Sequence, residues 1–462
     1  MVPFLSALDA FFWGPGTLAL LVGTGVFLTL RTHFLPLRDL GWAIRTALGR
    51  DARQQKSSGG ISPFSALMTA LAATVGTGNI VGVATALTAG GPGALVWMEL
   101  AALAGLSTKF AECLLAVKYR ASSHQGGYRG GPMYVLHRRL GLRRLGAVYA
   151  LFTLLASFGI GGMVQSNAIA QALETSFAVP APAAGAATAI LALLVLLRGG
   201  RAVASVSAAL VPGMALVYLS AGTAVIAGHL DRLPEALGTM LRCAFSPGAV
   251  AGGGLGSAVS ALDAARWGVA RGVFSNESGL GSAAISAAAA ATHSPVRQGY
   301  ISMTSTFFDT CLVCTVTGLA ICCSGVLGQA DGAALTLLAF RSVLGRTGEV
   351  LVSLSIALFA FSSILGWAFQ GETAAGFLLG ERSVRPYHLL LAAAVAWGAG
   401  QRTEVVFLLS DLANALMCLP NLFCLLCLSG EVARDALAFQ PLIRPKKRKF
   451  SGMTLHFPWK MI

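Results

Sequence analysis

The chain has 462 residues, of which 55% are hydrophobic and only 11% are charged. Soluble domains carry about 25% charged residues, so this composition excludes an ordinary soluble protein. Apolar runs of about 20 residues recur along the chain, and each is long enough for a helix to cross about 30 Å of hydrocarbon. The formal net charge is +14. Nucleic-acid binding is not expected, because no aromatic-interleaved basic face, zinc pattern or helix-turn-helix pattern accompanies that charge.

The sequence predicts an all-α integral membrane protein with about eleven transmembrane helices. A stretch over 245–257 is too interrupted by glycine to span, and we expect it to be re-entrant or interfacial. The predicted spans cover residues 10–30, 62–88, 93–117, 147–175, 184–198, 203–228, 258–291, 300–325, 350–370, 386–400 and 405–428.

The positions of Lys and Arg predict the orientation in a cell (inner) membrane. With the N-terminus outside, the cytoplasmic loops and tail hold 25 of the 33 Lys and Arg residues. Cytoplasmic loops of membrane proteins are enriched in these residues, so we expect the C-terminus to be cytoplasmic. The basic stretch "RPKKRKF" is then a topology anchor, with specific lipid binding as the alternative.

Two spans carry glycine and polar residues in the middle. They contain "LAATVGTGNIVGVATAL" (71–87) and "RGVFSNESGLGSAAISAAAAA" (271–291). Glycine weakens a helix interior by about 1 kcal/mol relative to alanine. Non-helical backbone at bilayer depth is tolerated only where protein buries it or where it lines a cavity. The first stretch departs from the dinucleotide fingerprint G-x-G-x-x-G, because its third glycine comes one residue late and no strand precedes it.

The spacing of the two breaks predicts an inverted repeat. The second break lies five spans after the first, which suggests one transmembrane domain over 1–430, with repeats at 62–228 and 258–428 and a tail at 431–462. Discontinuous helices at matching positions of two repeats point to a transporter's central site.

The ends of the interrupted helices suit a zwitterion such as an amino acid. The half-helix after the first break offers N–H groups to a carboxylate, and the half-helix ending near Phe274 offers carbonyls to an ammonium or a cation. Glu277 in the second break is either a functional charge or a cap on free amides, and Ser275 and Asn276 share these alternatives.

Seven motifs occur along the chain in a fixed order: "ATVGTGNIVGVATAL", "YRGGPMYVL", "SFGIGGMVQSNAIA", "RGVFSNESGLGSA", "FDTCLVCTVTGL", "ALFAFSSILGW" and "DLANALMCLPNL". Together they resemble the alanine or glycine:cation symporter family over about residues 10–430. The resemblance implies a leucine-transporter-like fold of five plus five inverted helices and one extra N-terminal helix. It also implies a non-enzymatic symporter that imports alanine, glycine or serine with Na⁺, or alternatively H⁺, and uses no other cofactor.

The same resemblance implies roles for individual residues. Amides near Thr77 and Gly78 would hold the substrate carboxylate. A cation would be bound by oxygen atoms, which hard cations prefer, and Asn79 is an additional candidate ligand. The cation-site candidates are Ala72, Val75, Ser362 and Ser363. The other substrate-site candidates are Thr74, Gly76, Asn79, Gln165, Phe274, Ser275, Asn276, Glu277, Gly279 and Trp367.

Some of these residues have a purely structural alternative. The two serines could bond back to their own helix carbonyls. Gln165 could join two helices through its amide, and Trp367 could be an interfacial anchor. Lys109 and Glu112, three residues apart on one helix, are expected to pair, and Asp309 receives no assigned role.

The chain departs from the family pattern at several positions. Gly162 stands where relatives commonly have Asn, Ala284 where they often have Pro, and Glu99 where they often have an aromatic residue. The family tryptophan is followed here by Ala368-Phe369-Gln370. The changes at 162 and 368–370 bear on the size and range of the substrate, and the change at 284 bears on how the interrupted helix restarts.

Two other function classes fit less well. A channel would need a ringed filter, usually from an oligomer, whereas two unlike breaks lie within this one chain. A membrane enzyme would need a catalytic motif, and H-E-x-x-H and G-x-S-x-G are both missing from the sequence.

Overall fold

In the computed structural model the apolar segments form helices and the two glycine-rich stretches interrupt them. The structure describes residues 2–54, 60–123, 127–245, 250–251, 258–401 and 403–443. In the first half, the helices are α1 Val2–Phe12, α2 Pro15–Arg31, α3 Leu35–Arg38, α4 Leu40–Leu48, α5 Arg50–Gln54, α6 Pro63–Thr74, α7 Val81–Gly90, α8 Gly93–Lys118, α9 Pro132–Arg138, α10 Arg143–Phe158 and α11 Val164–Phe177.

The second half is also helical. Two antiparallel strand pairs are the described extended elements, β1 Ala121–Ser122 with β2 Tyr128–Arg129, and β3 Val250–Ala251 with β4 Ala258–Val259. The helices are α12 Ala181–Leu196, α13 Gly200–Gly228, α14 Leu233–Phe245, α15 Ala261–Asn276, α16 Ser282–Ala288, α17 Pro295–Thr306, α18 Thr315–Ser324, α19 Gly332–Leu379, α20 Val384–Gly398 and α21 Thr403–Ile443.

Length and apolarity define fewer spans than the eleven predicted. Within the described residues, seven helices are long and apolar enough to cross a membrane, or eight if the bent pair α6–α7 is one span. The predicted spans at 184–198 and 386–400 correspond to helices of only 16 and 15 residues. The predicted span at 258–291 is divided by its break.

Several helix boundaries differ from the sequence-based expectation. α19 begins at Gly332, well before the predicted start at 350, and contains a kink at Gly345 with φ of 58°. α21 continues to Ile443, past the predicted end at 428. Most of the predicted interfacial stretch 245–257, and the basic stretch at 444–450, lie outside the described residues.

The first interrupted span begins at an N-cap and bends by 61° in the middle. Ser62 accepts a hydrogen bond from the Ser65 amide at 3.0 Å, and Pro63 starts the helix, a combination typical of helix N-termini. After Thr74 a 3₁₀ turn over Thr77–Asn79 separates α6 from α7. The glycines thus produce the predicted break.

The second interrupted span changes direction through three residues with positive φ. Glu277 has φ of 55°, Gly279 of 98° and Gly281 of 78°. The left-handed region is open to glycine but costly for a residue with a side chain, so Glu277 is held there by its surroundings. α15 ends at Asn276 and α16 begins at Ser282.

The ends of the two interrupted spans also meet. Ile61, just before α6, pairs with the segment after α16, and its amide donates to the Ala289 carbonyl at 3.1 Å. The Arg120 guanidinium donates to the carbonyls of Ala288 and Thr292 at 3.1 and 2.7 Å. These bonds satisfy carbonyl groups that the end of α16 leaves without helical partners.

Candidate substrate and cation site

The first break leaves two backbone donors unused. The amides of Thr77 and Gly78 donate to no protein acceptor among the described residues. The neighbouring Gly76 amide donates to Asn79 Oδ1 at 2.9 Å, so the turn is closed by its own asparagine. Free amides at the start of a helix favour an anion. This is the arrangement predicted for the substrate carboxylate.

Asp309 links the two breaks through a fully buried carboxylate. Asn79 Nδ2 donates to Asp309 Oδ1 at 2.7 Å, and Ser275 Oγ donates to Asp309 Oδ2 at 2.9 Å. Thr310 donates to the same oxygen at 2.9 Å, and Asn276 Nδ2 donates to Thr310 Oγ1 at 3.1 Å. One side chain therefore holds the 3₁₀ turn of the first break against the last turn of α15.

Asp309 lies in a π-helical segment, Phe307–Cys314, between α17 and α18. Segments of this type add a residue to the helical turn and are frequent at functional sites. The sequence alone assigned no role to Asp309. Its partners on two other helices are what give it a role.

Glu112 of α8 satisfies the amides of the second break. Its Oε1 accepts hydrogen bonds from Gly279 and Gly281 at 2.9 and 3.1 Å and from Asn421 Nδ2 at 2.7 Å. The predicted pair between Lys109 and Glu112 makes no direct contact, because Lys109 Nζ has no hydrogen-bond partner in the described part of the chain.

The Glu277 side chain lies at the start of α16. Its carboxylate accepts a hydrogen bond from the Ser282 hydroxyl, the first residue of that helix. A carboxylate at a helix N-terminus is stabilised by the helix dipole. The Glu277 carboxylate accepts no hydrogen bond from a backbone amide among the described residues, and Glu112 binds the amides of this break, so the predicted cap on free amides is not observed.

Polar atoms without protein partners surround Gly76. A Cβ at this position would lie 2.5 Å from Ser363 Oγ and 3.4 Å from Gln165 Oε1. Both oxygens are buried without a hydrogen-bond partner within the described residues, and so is Thr77 Oγ1. Buried polar atoms normally have partners, so three unpaired oxygens near the free amides make this the candidate place for a ligand.

α19 lies directly against the end of α6. Ser362 Oγ is 3.4 Å from the Ala72 carbonyl oxygen and donates to its own Phe359 carbonyl at 2.8 Å. A Cβ at Gly366 would lie 2.5 Å from the Ala73 amide nitrogen. The predicted back-bonding alternative is therefore present for Ser362, whereas Ser363 keeps a free hydroxyl beside Gly76.

Trp367 is an interior residue and does not act as an interfacial anchor. Only 1% of its surface is exposed. A Cβ at Gly161 would lie 2.4 Å from Trp367 Cβ, so glycine is required there for the indole to approach. Gly161 belongs to a π-helical turn, Gly159–Met163, which ends two residues before Gln165. The Gln165 Nε2 donates to the Ile160 carbonyl at 3.1 Å.

Phe274 closes another side of the same region. A Cβ at Gly78 would lie 3.4 Å from Phe274 Cδ1 and 3.3 Å from Ser275 Cα. A cavity of about 380 Å³ reaches Thr77 and is lined by residues of α7, α11 and α19. The unpaired groups of the first break are therefore adjacent to a space from which a small molecule can approach.

The structure thus brings most of the candidate residues together around the two breaks. A few of them already bond to other protein groups. Val75 and Thr74 end α6, and the Thr74 hydroxyl lies 3.4 Å from the Leu71 carbonyl. Gly279 contributes its amide to Glu112, so it is not free for a ligand.

Two positions that depart from the family pattern lie against other helices. Gly162 faces Leu391 and Val395 of α20. Glu99 accepts a hydrogen bond from Thr315 at 2.7 Å.

Sequence patterns missed the part that Glu112, Asn421 and Tyr149 play at the second break. The Tyr149 hydroxyl donates to the Leu280 carbonyl at 2.9 Å, and Asn421 Nδ2 also donates to the Gly279 carbonyl at 2.8 Å. The one available signal was chemical, since charged and amide side chains within apolar spans normally have a partner.

Two interrupted membrane helices that enclose a buried polar centre define the class of secondary transporters. Residues 1–450 match the sodium:alanine symporter family. The sodium/alanine symporter AgcS of Methanococcus maripaludis is 42% identical over 450 residues, which cover 96% of this chain and 98% of the relative. An uncharacterised transporter of Haemophilus influenzae is 45% identical over 435 residues, with coverage of 93% and 94%.

The fold has a solved counterpart. The crystal structure of MhsT in complex with L-phenylalanine matches with a TM-score of 0.57 at 14% identity, covering 83% of this chain and 92% of MhsT. The chain belongs to the sodium:alanine symporter family. It is a multi-pass membrane protein and a Na⁺-coupled amino-acid symporter, not an enzyme.

Replacing Asn79 tests the closure of the first break. Asn79→Ala removes the acceptor of the Gly76 amide and the donor to Asp309. Each buried group left unpaired costs about 1–3 kcal/mol, so we expect alanine uptake to fall at least about tenfold while the protein still inserts. Uptake per amount of protein in the membrane is the measurement.

The matched control is Thr88→Ala in the same interrupted span, since the Thr88 hydroxyl bonds only to the Ala84 carbonyl of its own helix. Wild-type uptake by the Asn79 variant would contradict the assignment.

Proposed function

We propose that the protein imports a small neutral amino acid of the alanine or glycine class, serine included, together with Na⁺, by alternating access to a site between the two breaks. The observation that carries this proposal is the set of unpaired groups at the first break. Two free amides, of Thr77 and Gly78, lie beside the unpaired oxygens of Gln165 and Ser363. Donors and acceptors side by side suit a zwitterion and a cation.

The substrate carboxylate binds the amides of Thr77 and Gly78. The positive end of the half-helix dipole supports an anion there. The ammonium group faces the last turn of α15, where Ser275 and Asn276 lie, and Gln165 Oε1. Phe274 and Trp367 enclose the side chain, and their bulk favours a methyl group or a hydrogen.

The cation site uses the carbonyls of Ala72 and Val75 and the hydroxyls of Ser362 and Ser363. All four are oxygen ligands, which hard cations prefer, and the 3.4 Å approach of Ser362 to Ala72 supports their convergence. Asn79 is a poorer ligand than expected, because its Oδ1 accepts the Gly76 amide and its Nδ2 binds Asp309.

Coupling follows from the shared position of the two sites. Both ligands bind the end of α6 and the turn after it, so each favours the backbone arrangement that the other needs, and the coupling is reciprocal. The bundle that carries both interrupted spans rocks against the remaining helices.

We also propose the topology on which this cycle depends. The chain has eleven spans, two inverted repeats over 62–228 and 258–428, an outside N-terminus and a cytoplasmic C-terminus. In that orientation the 380 Å³ cavity at Thr77 opens outward. A second cavity of about 260 Å³, lined by Ile61, Ile285 and Phe369, opens to the cytoplasm.

Uptake into proteoliposomes tests the function. With an inward Na⁺ gradient, labelled alanine is expected to accumulate above its equilibrium level, and a protonophore should not prevent this. If the protonophore abolishes accumulation and removal of Na⁺ does not, H⁺ is the coupling ion. Uptake that ignores both gradients would contradict symport.

Ser363→Ala tests the cation site. Removing a hydroxyl that binds Na⁺ is expected to raise the Na⁺ concentration for half-maximal uptake about tenfold, because about one ligand interaction is lost. The matched control is Ser355→Ala on the same helix, two turns away. If Ser363→Ala keeps the wild-type Na⁺ dependence, its hydroxyl is not a ligand.

A further inference from the structure

Asn414 of α21 is a buried carboxamide without a partner. None of its surface is exposed, and neither its Nδ2 nor its Oδ1 has a hydrogen-bond partner within the described residues. Buried polar side-chain atoms are normally paired, and each atom left unpaired lowers the stability of the protein. A bound molecule that pairs with this amide would remove that cost.

Hydrogen bonds between α10, α21 and the second break define the level of Asn414. The Thr153 hydroxyl of α10 donates to Met417 Sδ at 3.2 Å. One turn earlier on α10, Tyr149 bonds to the second break, and one turn later on α21, Asn421 does the same. The two helices are therefore antiparallel, and Asn414 lies level with the last turn of α10, just before the π-helical turn.

α15 gives a second measure of the same level. Arg271 Nη1 lies 3.9 Å from Asp411 Oδ2, and farther along α21 Asn421 bonds to the second break. α15 and α21 therefore run in the same direction. Asn414 comes three residues after Asp411. Phe274 comes three residues after Arg271, so it lies level with Asn414.

Helical spacing defines the direction in which Asn414 points. Asp411 and Asn421 both contact the second interrupted span. Asn414 lies three residues after the first and seven before the second, a spacing that puts all three on one face of a helix. The Asn414 carboxamide therefore faces the second interrupted span, at the level of Phe274.

The surroundings of Asn414 belong to the candidate substrate site. The residues on either side of it, Ala413 and Ala415, lie in one buried cluster with Phe274 and Trp367, the two aromatic residues proposed to enclose the substrate side chain. The proposed ligands of the carboxylate, the ammonium group and Na⁺ come from other elements. The substrate side chain is the remaining group, and it has no polar partner yet.

We propose that Asn414 is a specificity-determining residue that binds a hydroxyl on the substrate side chain, so that the site favours serine over an amino acid of equal size without a hydroxyl. A carboxamide can accept a hydrogen bond through Oδ1 or donate one through Nδ2. A site that hydrogen-bonds a hydroxyl rejects an analogue without it, because its own buried polar atoms stay unpaired. The inference rests on the proposed function and names the member of its substrate class that Asn414 recognises.

Equilibrium binding to the wild-type protein tests this with two compounds of the same size. α-Aminobutyrate carries a methyl group where serine carries its hydroxyl. In the presence of Na⁺, serine is expected to bind at least about tenfold more tightly, the effect of one buried hydrogen bond. Equal affinity, or tighter binding of α-aminobutyrate, would overturn the inference.

Asn414→Leu removes the carboxamide and keeps a side chain of similar size. We expect kcat/KM for serine uptake to fall at least about tenfold more than kcat/KM for alanine uptake, because alanine has no hydroxyl to lose a partner. The unfolding temperature of N414L without substrate is expected to equal or exceed that of the wild type, since no protein hydrogen bond is broken.

The matched control is Asn421→Leu on the same helix. The Asn421 amide is already bonded to Glu112 and to the Gly279 carbonyl, so N421L is expected to unfold at a lower temperature and to lose serine and alanine uptake by the same factor. Equal losses for the two substrates in N414L, from a structural contact or a contact to the ammonium group, would overturn the inference. If N414L does not fold, Asn414 is structural and the same conclusion holds.

Alanine uptake by the wild type separates this inference from the proposed function. A protein that transports alanine with Na⁺ but binds serine and α-aminobutyrate equally keeps the proposed function and loses the role of Asn414. A protein that binds and transports none of the three compounds contradicts both.

Discussion

An interrupted helix inside a membrane must find partners for its freed backbone groups, and at the second break a buried carboxylate supplies them. Water is absent at that depth, and each unpaired group costs several kcal/mol. Glu112 binds two amides of the second break, and Asp309 holds both breaks through Asn79 and Ser275. Without these two side chains the polar centre has no fixed geometry.

The backbone amides of the two breaks differ in how many have hydrogen-bond partners, and this difference produces the candidate site. At the second break the amides of Gly279 and Gly281 are engaged by Glu112. At the first break Asn79 engages only the Gly76 amide, and the next two amides remain free. A bound anion is therefore expected at the first break alone, with the carbonyl end of α15 facing the opposite charge.

Glycine and polar residues in mid-span predicted both breaks, because the backbone conformation of a short segment depends mainly on its own residues. "VGTGN" and "SNESGLG" mark the turns to within a few residues. The sequence did not predict which side chains would hold the turns. Asn421 is 309 residues from Glu112, and Asp309 is 230 from Asn79, so these contacts depend on the tertiary fold.

Local pattern also misjudged one pair and several boundaries. Helical spacing favoured a contact between Lys109 and Glu112, but the Glu112 carboxylate accepts hydrogen bonds from amides of another span. Hydropathy placed the end of the last span at 428, whereas α21 continues to Ile443. Its last turns are held by charged contacts, such as Lys118 with Asp435 at 2.6 Å, that hydropathy does not register.

Equilibrium binding to the purified protein tests most directly whether the free amides of Thr77 and Gly78 receive a carboxylate. Alanine and alaninamide share the ammonium group and the methyl side chain, but alaninamide has no carboxylate. In the presence of Na⁺, alanine is expected to bind and alaninamide to bind at least about a hundredfold more weakly, as loss of a charge-assisted contact implies. Equal affinity for the two compounds would contradict this account.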